Sequence, residues 1–253
     1  MLVDYHIHLL GHDAREATYD NIEEFVLQAQ KMGISKMGFS DHNRYYNQFD
    51  FAMIEQVAKD YPEIEINKGI EMDFTPGKEK EIADFLAQFD FDYIIGSLHY
   101  IDGWMFDHPK YKDEYEKWEI DKLYQKYYSY VAQAAESGLF DIIGHLDLIK
   151  IFNYKPQAGG LKYAIPALET IAENDIVIEV NTNGLNKPVE ELYPTAEILA
   201  EAYKLGVKVT LGSDAHHHKR VGENLEKVRE LLLAIGYKEI ASFNQRERTM
   251  EEL

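Results

Sequence analysis

Leu2-Val3-Asp4-Tyr5-His6-Ile7-His8 is an apolar strand signature that ends in two imidazoles spaced two apart. Side chains alternate across a strand, so His6 and His8 project to one face and can bind one metal ion from one side. Alone, such a triplet reads first as two ordinary polar residues at a strand end. Its weight comes from the later segments that finish the same way. Residues 36–42 read as a second strand ending in His42, and 64–73 as a third ending near Glu71 and Asp73. Residues 93–99 and 142–145 close on His99 and His145, 176–181 follow, and 208–216 deliver Asp214 and His216.

Helical patterns fill the gaps, at about 19–32, 51–60, 79–88, 119–137, 161–173, 194–205 and 223–235. In the first of these Ile22, Phe25, Val26 and Ala29 recur at helical spacing, and Gly33 stands where a C-terminal cap belongs. Residues 238–243 are of uncertain type. Seven strands alternating with helices imply parallel βαβ units with right-handed crossovers. No Gly-x-Gly-x-x-Gly fingerprint follows the first strand, so a closed or nearly closed α/β barrel of TIM-like type fits better than an open doubly wound sheet. Functional groups of such barrels sit beyond the C-terminal ends of the strands. His6, His8, His42, Glu71, His99, His145, Asp214 and His216 all fall there.

The chain has 253 residues, within the range of a one-domain barrel, and shows no linker, repeat or low-complexity tract, so 1–253 reads as a single domain. Asp plus Glu number 45 against 26 Lys plus Arg, a balance of −19. That disfavours nucleic acid and anionic membranes as partners. With no cysteine, disulfides and thiolate metal sites are excluded. No apolar run approaches membrane-spanning length and no signal-peptide layout opens the chain, so the expected address is the cytoplasm. Imidazoles and carboxylates without thiolate suit Zn, Mn or Fe ions rather than Ca or Mg. Eight such groups exceed what one catalytic ion takes, which implies two or three divalent ions, with Glu71 a natural bridge.

Taken in order, His6-x-His8, Asp41-His42, Glu71 in Gly69-Ile70-Glu71, Ser97-Leu98-His99, Gly144-His145-Leu146-Asp147 and Gly212-Ser213-Asp214-Ala215-His216 resemble the motif series of the PHP (polymerase and histidinol phosphatase) family. Ile178 to Leu185 and Ile101 to Trp104 are similar to its histidinol-phosphate phosphatase branch. The resemblance implies a distorted (β/α)7 barrel with a trinuclear metal site. It places His6, His8, Glu71 and Asp214 on one ion, Glu71, His99 and His145 on a second, and His42 and His216 on a third. A further ligand would come from the first loop, His12 or Asp13, with His12 preferred.

The implied activity is hydrolysis of L-histidinol phosphate by a metal-bridging hydroxide, with Asp214 and His216 the catalytic candidates and the leaving group's proton coming through Asp214 or a water on the third ion. Another small phosphomonoester, a nucleotide or phosphotyrosine, is the alternative. A dianionic substrate also needs fixed cations. Lys150 and Lys187 lie at the correct end, with Arg220 and Arg44 in reserve. The branch often presents Arg in those two loops; Lys keeps the charge and loses the bidentate fork. His217 and His218 read as exposed loop residues. Residues 104–118, aromatic and acidic, read either as a lid over the amine and imidazole of the substrate or as a loop packed across the rim. A homo-oligomer is compatible with all of this.

Overall fold

The computed structural model describes residues 1–12 and 14–253. Seven parallel strands alternate with helices: β1 (Val3–Ile7), α1 (Tyr19–Lys31), β2 (Lys36–Phe39), α2 (Phe51–Asp60), β3 (Glu65–Asp73), α3 (Glu79–Leu86) and β4 (Tyr93–Ser97). A short hairpin, β5 (Tyr100–Ile101) and β6 (Trp104–Met105), and a run of 3-10 turns over 109–117 precede α4 (Ile120–Glu136). Then come β7 (Ile142–Ile143), α5 (Leu161–Glu173), β8 (Val177–Asn181), α6 (Ala196–Lys204), β9 (Val209–Gly212) and α7 (Leu225–Ile235). The large sheet runs β1-β2-β3-β4-β7-β8-β9, all neighbours parallel. Its two ends meet where the His8 N–H donates to the Ala215 carbonyl at 2.9 Å, which makes the barrel nearly closed as expected.

Local chemistry explains the elements. Thr18, Asp50 and Thr195 each cap a helix by accepting a backbone N–H with the side chain. The α1 stripe Ile22, Phe25, Val26 and Ala29 is buried. Inside the barrel, Tyr93 occupies the space beside two glycines. A Cβ on Gly38 or Gly69 would lie 2.1 Å from the Tyr93 side chain. The Tyr93 hydroxyl donates to the Tyr5 carbonyl at 2.7 Å, tying β4 to β1.

The segment of uncertain type from 238 is the first arm of an antiparallel hairpin, β10 (Glu239–Asn244) and β11 (Glu247–Glu252). It crosses the N-terminal end of the barrel. The Phe243 N–H donates to the Tyr5 hydroxyl, Thr210 Oγ1 to the Ala241 carbonyl, and Arg246 to Asp141. Among the described residues no helix is long and apolar enough to cross a membrane.

Candidate metal centre

Most strands stop one to three residues short of their chemistry. β1 ends at Ile7, β2 at Phe39 and β4 at Ser97, so His8, His42 and His99 stand on the first turns beyond the sheet. His6 and Glu71 are the exceptions, inside β1 and β3 and buried. The two oxygens of Glu71 face different partners. Oε1 is 2.8 Å from His145 Nε2 and 3.4 Å from His99 Nε2. Oε2 is 2.8 Å from His42 Nδ1, 3.4 Å from His6 Nε2 and 3.5 Å from His8 Nε2. On the open side His12 Nε2 lies 2.6 Å from His216 Nε2 and 3.3 Å from His42 Nε2. Asp214 Oδ1 completes the ring, 3.2 Å from His8 Nε2. Asp13, the other first-loop residue considered, lies outside the described residues.

The donor set fits divalent metal ions. His6 Nε2, both His8 nitrogens, His42 Nδ1 and Glu71 Oε2 are buried and have no hydrogen-bond partner. His42 Nδ1 and Glu71 Oε2 lie as close as a hydrogen bond without its alignment, and two imidazole nitrogens meet at 2.6 Å. Buried polar atoms are normally satisfied, so converging orphans of this kind are arranged for a ligand. Three triads, His8-His42-His216, His6-His8-Glu71 and His42-Glu71-His99, each bring their donor atoms within 4.8 Å.

Electrostatics divides the imidazoles. Burial lowers His8 and, reinforced by the charges of His216, His42 and Arg44, pushes His12 down to about 3. Burial also opposes protonation of His99, yet Glu71 and Asp73 raise it to about 10, Asp73 Oδ1 sitting 2.5 Å from His99 Nδ1. His6 is raised well above its usual value because Glu179, Glu71 and Asp214 outweigh burial. The same charges act on the carboxylates. Burial would raise Glu71 and Asp214, and the facing histidines hold both well below the usual range.

The cations are distributed differently from the sequence reading. Lys187 lines the histidine cavity, of about 90 Å³, together with Asp107, Asn183 and Tyr193. Lys150 does not line it. Its ammonium is buried 2.7 Å from Asp147, three residues earlier, and donates to the Leu192 carbonyl at 2.6 Å, so it ties two loops together instead of facing a phosphate. Arg220 donates to Glu223 at 2.9 Å and to Asn183 Oδ1 at 3.0 Å, one residue removed from the ring. Arg44 stacks on Tyr45, 4.8 Å from its centroid, with Asp73 at 4.0 Å. His218 pairs with Glu24 outside the ring. Residues 104–118 pack on the rim: Tyr115 is buried, donates to the Ile149 carbonyl and meets the Trp104 ring at 4.8 Å.

Several site residues were given no role from the sequence, although Asp41 and Asp73 stand in its motifs. Glu179 accepts from His6 Nδ1 at 2.7 Å, Asp73 faces His99, and Asp41 accepts the N–H groups of Leu9 and Leu10. Arg15 donates to the carbonyls of His8, Leu9 and His216, joining the first loop to the last. A charged or polar residue inside an apolar run, as in Ile176-Val177-Ile178-Glu179-Val180, is the signal that would have found Glu179.

Comparison with known proteins agrees with this geometry. Residues 4–183 match the PHP domain model. A probable histidinol-phosphatase of Deinococcus radiodurans is 38% identical over 237 residues, 87% of this chain and 88% of that protein. The histidinol-phosphatase of Lactococcus lactis is 27% identical over 96% of this chain and 94% of its own length. A crystal structure of the Lactococcus lactis histidinol phosphate phosphatase, complexed with Zn, L-histidinol and phosphate, superposes with a TM-score of 0.79 over 98% of both chains at 22% identity, a likeness of fold.

Proposed function

The chain belongs to the PHP domain family, and from that premise we propose that it is a metal-dependent phosphomonoesterase that hydrolyses L-histidinol phosphate to L-histidinol and phosphate, a step of histidine biosynthesis. The observation that carries the metal chemistry is Glu71, one buried carboxylate whose two oxygens face two separate sets of imidazoles. His6, His8, Glu71 and Asp214 would hold one ion, Glu71, His99 and His145 a second, and His12, His42 and His216 a third, each a Zn, Mn or Fe ion. Ions so held would bring the pKa of a bound water toward neutrality and offset the charge of the phosphoryl group.

The remaining work falls to the chain. Lys187 presents an ammonium at the cavity wall, where its charge is felt by His216, and is the cation placed to meet the phosphate. The departing alkoxide needs a proton, which would pass to it beside Asp214, held as a carboxylate in the cavity wall with His216 next to it. The leaving group has a place to go. A second cavity of about 550 Å³ shares Asp107, Ile151 and Lys187 with the histidine cavity and carries Asp113 and Glu116, carboxylates suited to a cationic amine.

Phosphate release from Mn- or Zn-loaded protein across L-histidinol phosphate, mononucleotides, a phosphotyrosine peptide and p-nitrophenyl phosphate tests the reading. We expect kcat/KM for L-histidinol phosphate to exceed the others by about a hundredfold or more, because a polar subsite rejects ligands that leave it unpaired. His99→Ala should abolish it. Comparable weak turnover of every substrate would remove L-histidinol phosphate as the substrate and leave the hydrolase.

A further inference from the structure

We propose that the inward face of β8 and the turn after it, Glu179, Asn181 and Asn183, is a positioning relay that fixes the aim of His6 and Asp214, a role resting on the reading of those two residues as ligands of one ion. β8 contributes no ligand of its own to the three sets above. Its alternate residues 179 and 181 nevertheless point the same way, inward, and Asn183 continues the line. All three are buried.

The hydrogen bonds run without a break from one ligand to the other. Glu179 Oε1 accepts from His6 Nδ1 at 2.7 Å and from Asn181 Nδ2 at 3.2 Å. Asn181 Oδ1 accepts the Asn183 N–H at 2.9 Å. Asn183 Nδ2 then donates to Asp214 Oδ2, also at 2.9 Å, and its own Oδ1 is held by Arg220. Each bond leaves one atom for the ring. With Nδ1 engaged, His6 must present Nε2 toward Glu71, and with Oδ2 engaged, Asp214 must present Oδ1 toward His8. A partner on the outer nitrogen of an imidazole fixes both its tautomer and its orientation.

The second oxygen of Glu179 extends the relay to another set of ligands. Oε2 accepts the backbone N–H of His145 at 2.8 Å. His145 and Asp214 stand at φ of 22° and 52°, in a region that side-chain-bearing residues avoid unless the surroundings impose it. The relay touches both. A glycine clears the space it needs. A Cβ on Gly212 would lie 1.9 Å from Glu179 Oε1 and 2.6 Å from the His6 Cβ. A purely structural residue at 179 would be apolar, since a buried carboxylate is unfavourable unless its oxygens are paired. Here its oxygens are divided between two ligand-bearing segments.

Glu179→Gln and Asn183→Ala in the full chain decide the matter, with metal affinity read by chelator competition, the Mn(II) electron paramagnetic resonance spectrum, kcat and KM separately, and the melting temperature of metal-free protein. Loss of an orienting partner costs roughly 10–100-fold in metal affinity or activity. We expect that loss in metal affinity and in kcat, an altered Mn(II) spectrum, KM within about twofold, and metal-free melting close to that of the parent. Parental metal affinity and kcat in both variants would overturn the proposal. So would metal-free melting that falls while the folded fraction keeps parental affinity. If Glu179→Gln does not fold, Asn183→Ala decides alone on the same criteria. Metal titration needs no substrate, so a wrong assignment of L-histidinol phosphate would leave this result standing.

Discussion

The imidazoles around Glu71 carry different numbers of protons at neutral pH. His12, pushed down to about 3, and His8 offer lone pairs, whereas His99, raised to about 10, and His6 hold protons where a metal would bind. Metal binding must expel those protons. Filling the site at pH 7 should therefore release about two protons, from His6 and His99, and affinity should climb with pH until His99 titrates near 10. Calorimetry in buffers of different ionisation heat reads the number directly, and release of none would contradict the charge pattern. In metal-free protein the His99 proton adds stability in full below the unfolded value near 6.5, and that stability is lost as pH rises through about 10. The cluster of proposed ligands was legible because imidazoles recur at strand ends, a pattern that survives without coordinates. Lys150 was not, since nothing in Asp147-Leu148-Ile149-Lys150 says that a short 3-10 turn folds the ammonium back onto Asp147. Glu179, Asp73 and Asn183 stand behind proposed ligands, and residues in that position do not recur at strand ends as the imidazoles do.

Strands were read from apolar runs, and all seven are where those runs lie. What the runs do not disclose is which side chain fills which hollow. Gly38 and Gly69, on neighbouring strands, leave room that only the Tyr93 ring of the next strand occupies, against the Tyr5 ring at 4.8 Å. Tyr93→Ala would open a hollow bounded by two glycines that have no side chain to move into it. Aromatic-to-alanine changes in a core cost about 3–5 kcal/mol, and this site should fall in the upper part of that range. Tyr93→Phe keeps the ring and removes only the donor to the Tyr5 carbonyl, a loss of about 1 kcal/mol. Denaturant unfolding of both variants checks the pair. Equal losses would mean that the hydroxyl, not the ring, carries the contribution. The same logic explains why strand ends were read a few residues long: the ligand-bearing turns continue the apolar pattern after the ladder has stopped, as in Ser97-Leu98-His99 with Leu98 buried.

The molecule separates chemistry from closure. Every proposed ligand stands at the C-terminal end of the barrel, and β10–β11 crosses the other end, joining segments that lead into β2, β4, β7 and β8 through Lys36, Asp92, Asp141 and Asp175. The hairpin was not legible because β11 reads Glu-Arg-Thr-Met-Glu-Glu, almost wholly polar; β10 packs Ile240, Ala241 and Phe243 into the core, and ion pairs and backbone bonds add to that hold. In such barrels the end bearing the loops after the strands carries activity and the opposite end carries stability. Arg246→Ala tests that division here. Arg246 grips Asp141 through Nε and a terminal nitrogen at 3.0 Å each, while Asp141 Oδ2 accepts the Ile94 N–H at the start of β4. The pair is partly exposed, so its loss should cost about 1–2 kcal/mol, a fall in melting temperature of about 2–8 °C at this chain length. Metal affinity and kcat should stay at parental values, because no bond of Arg246 reaches a ligand or the Glu179 relay. A variant that melted normally but lost metal would show that the two ends are coupled through the strands, and the hairpin would then belong to the site.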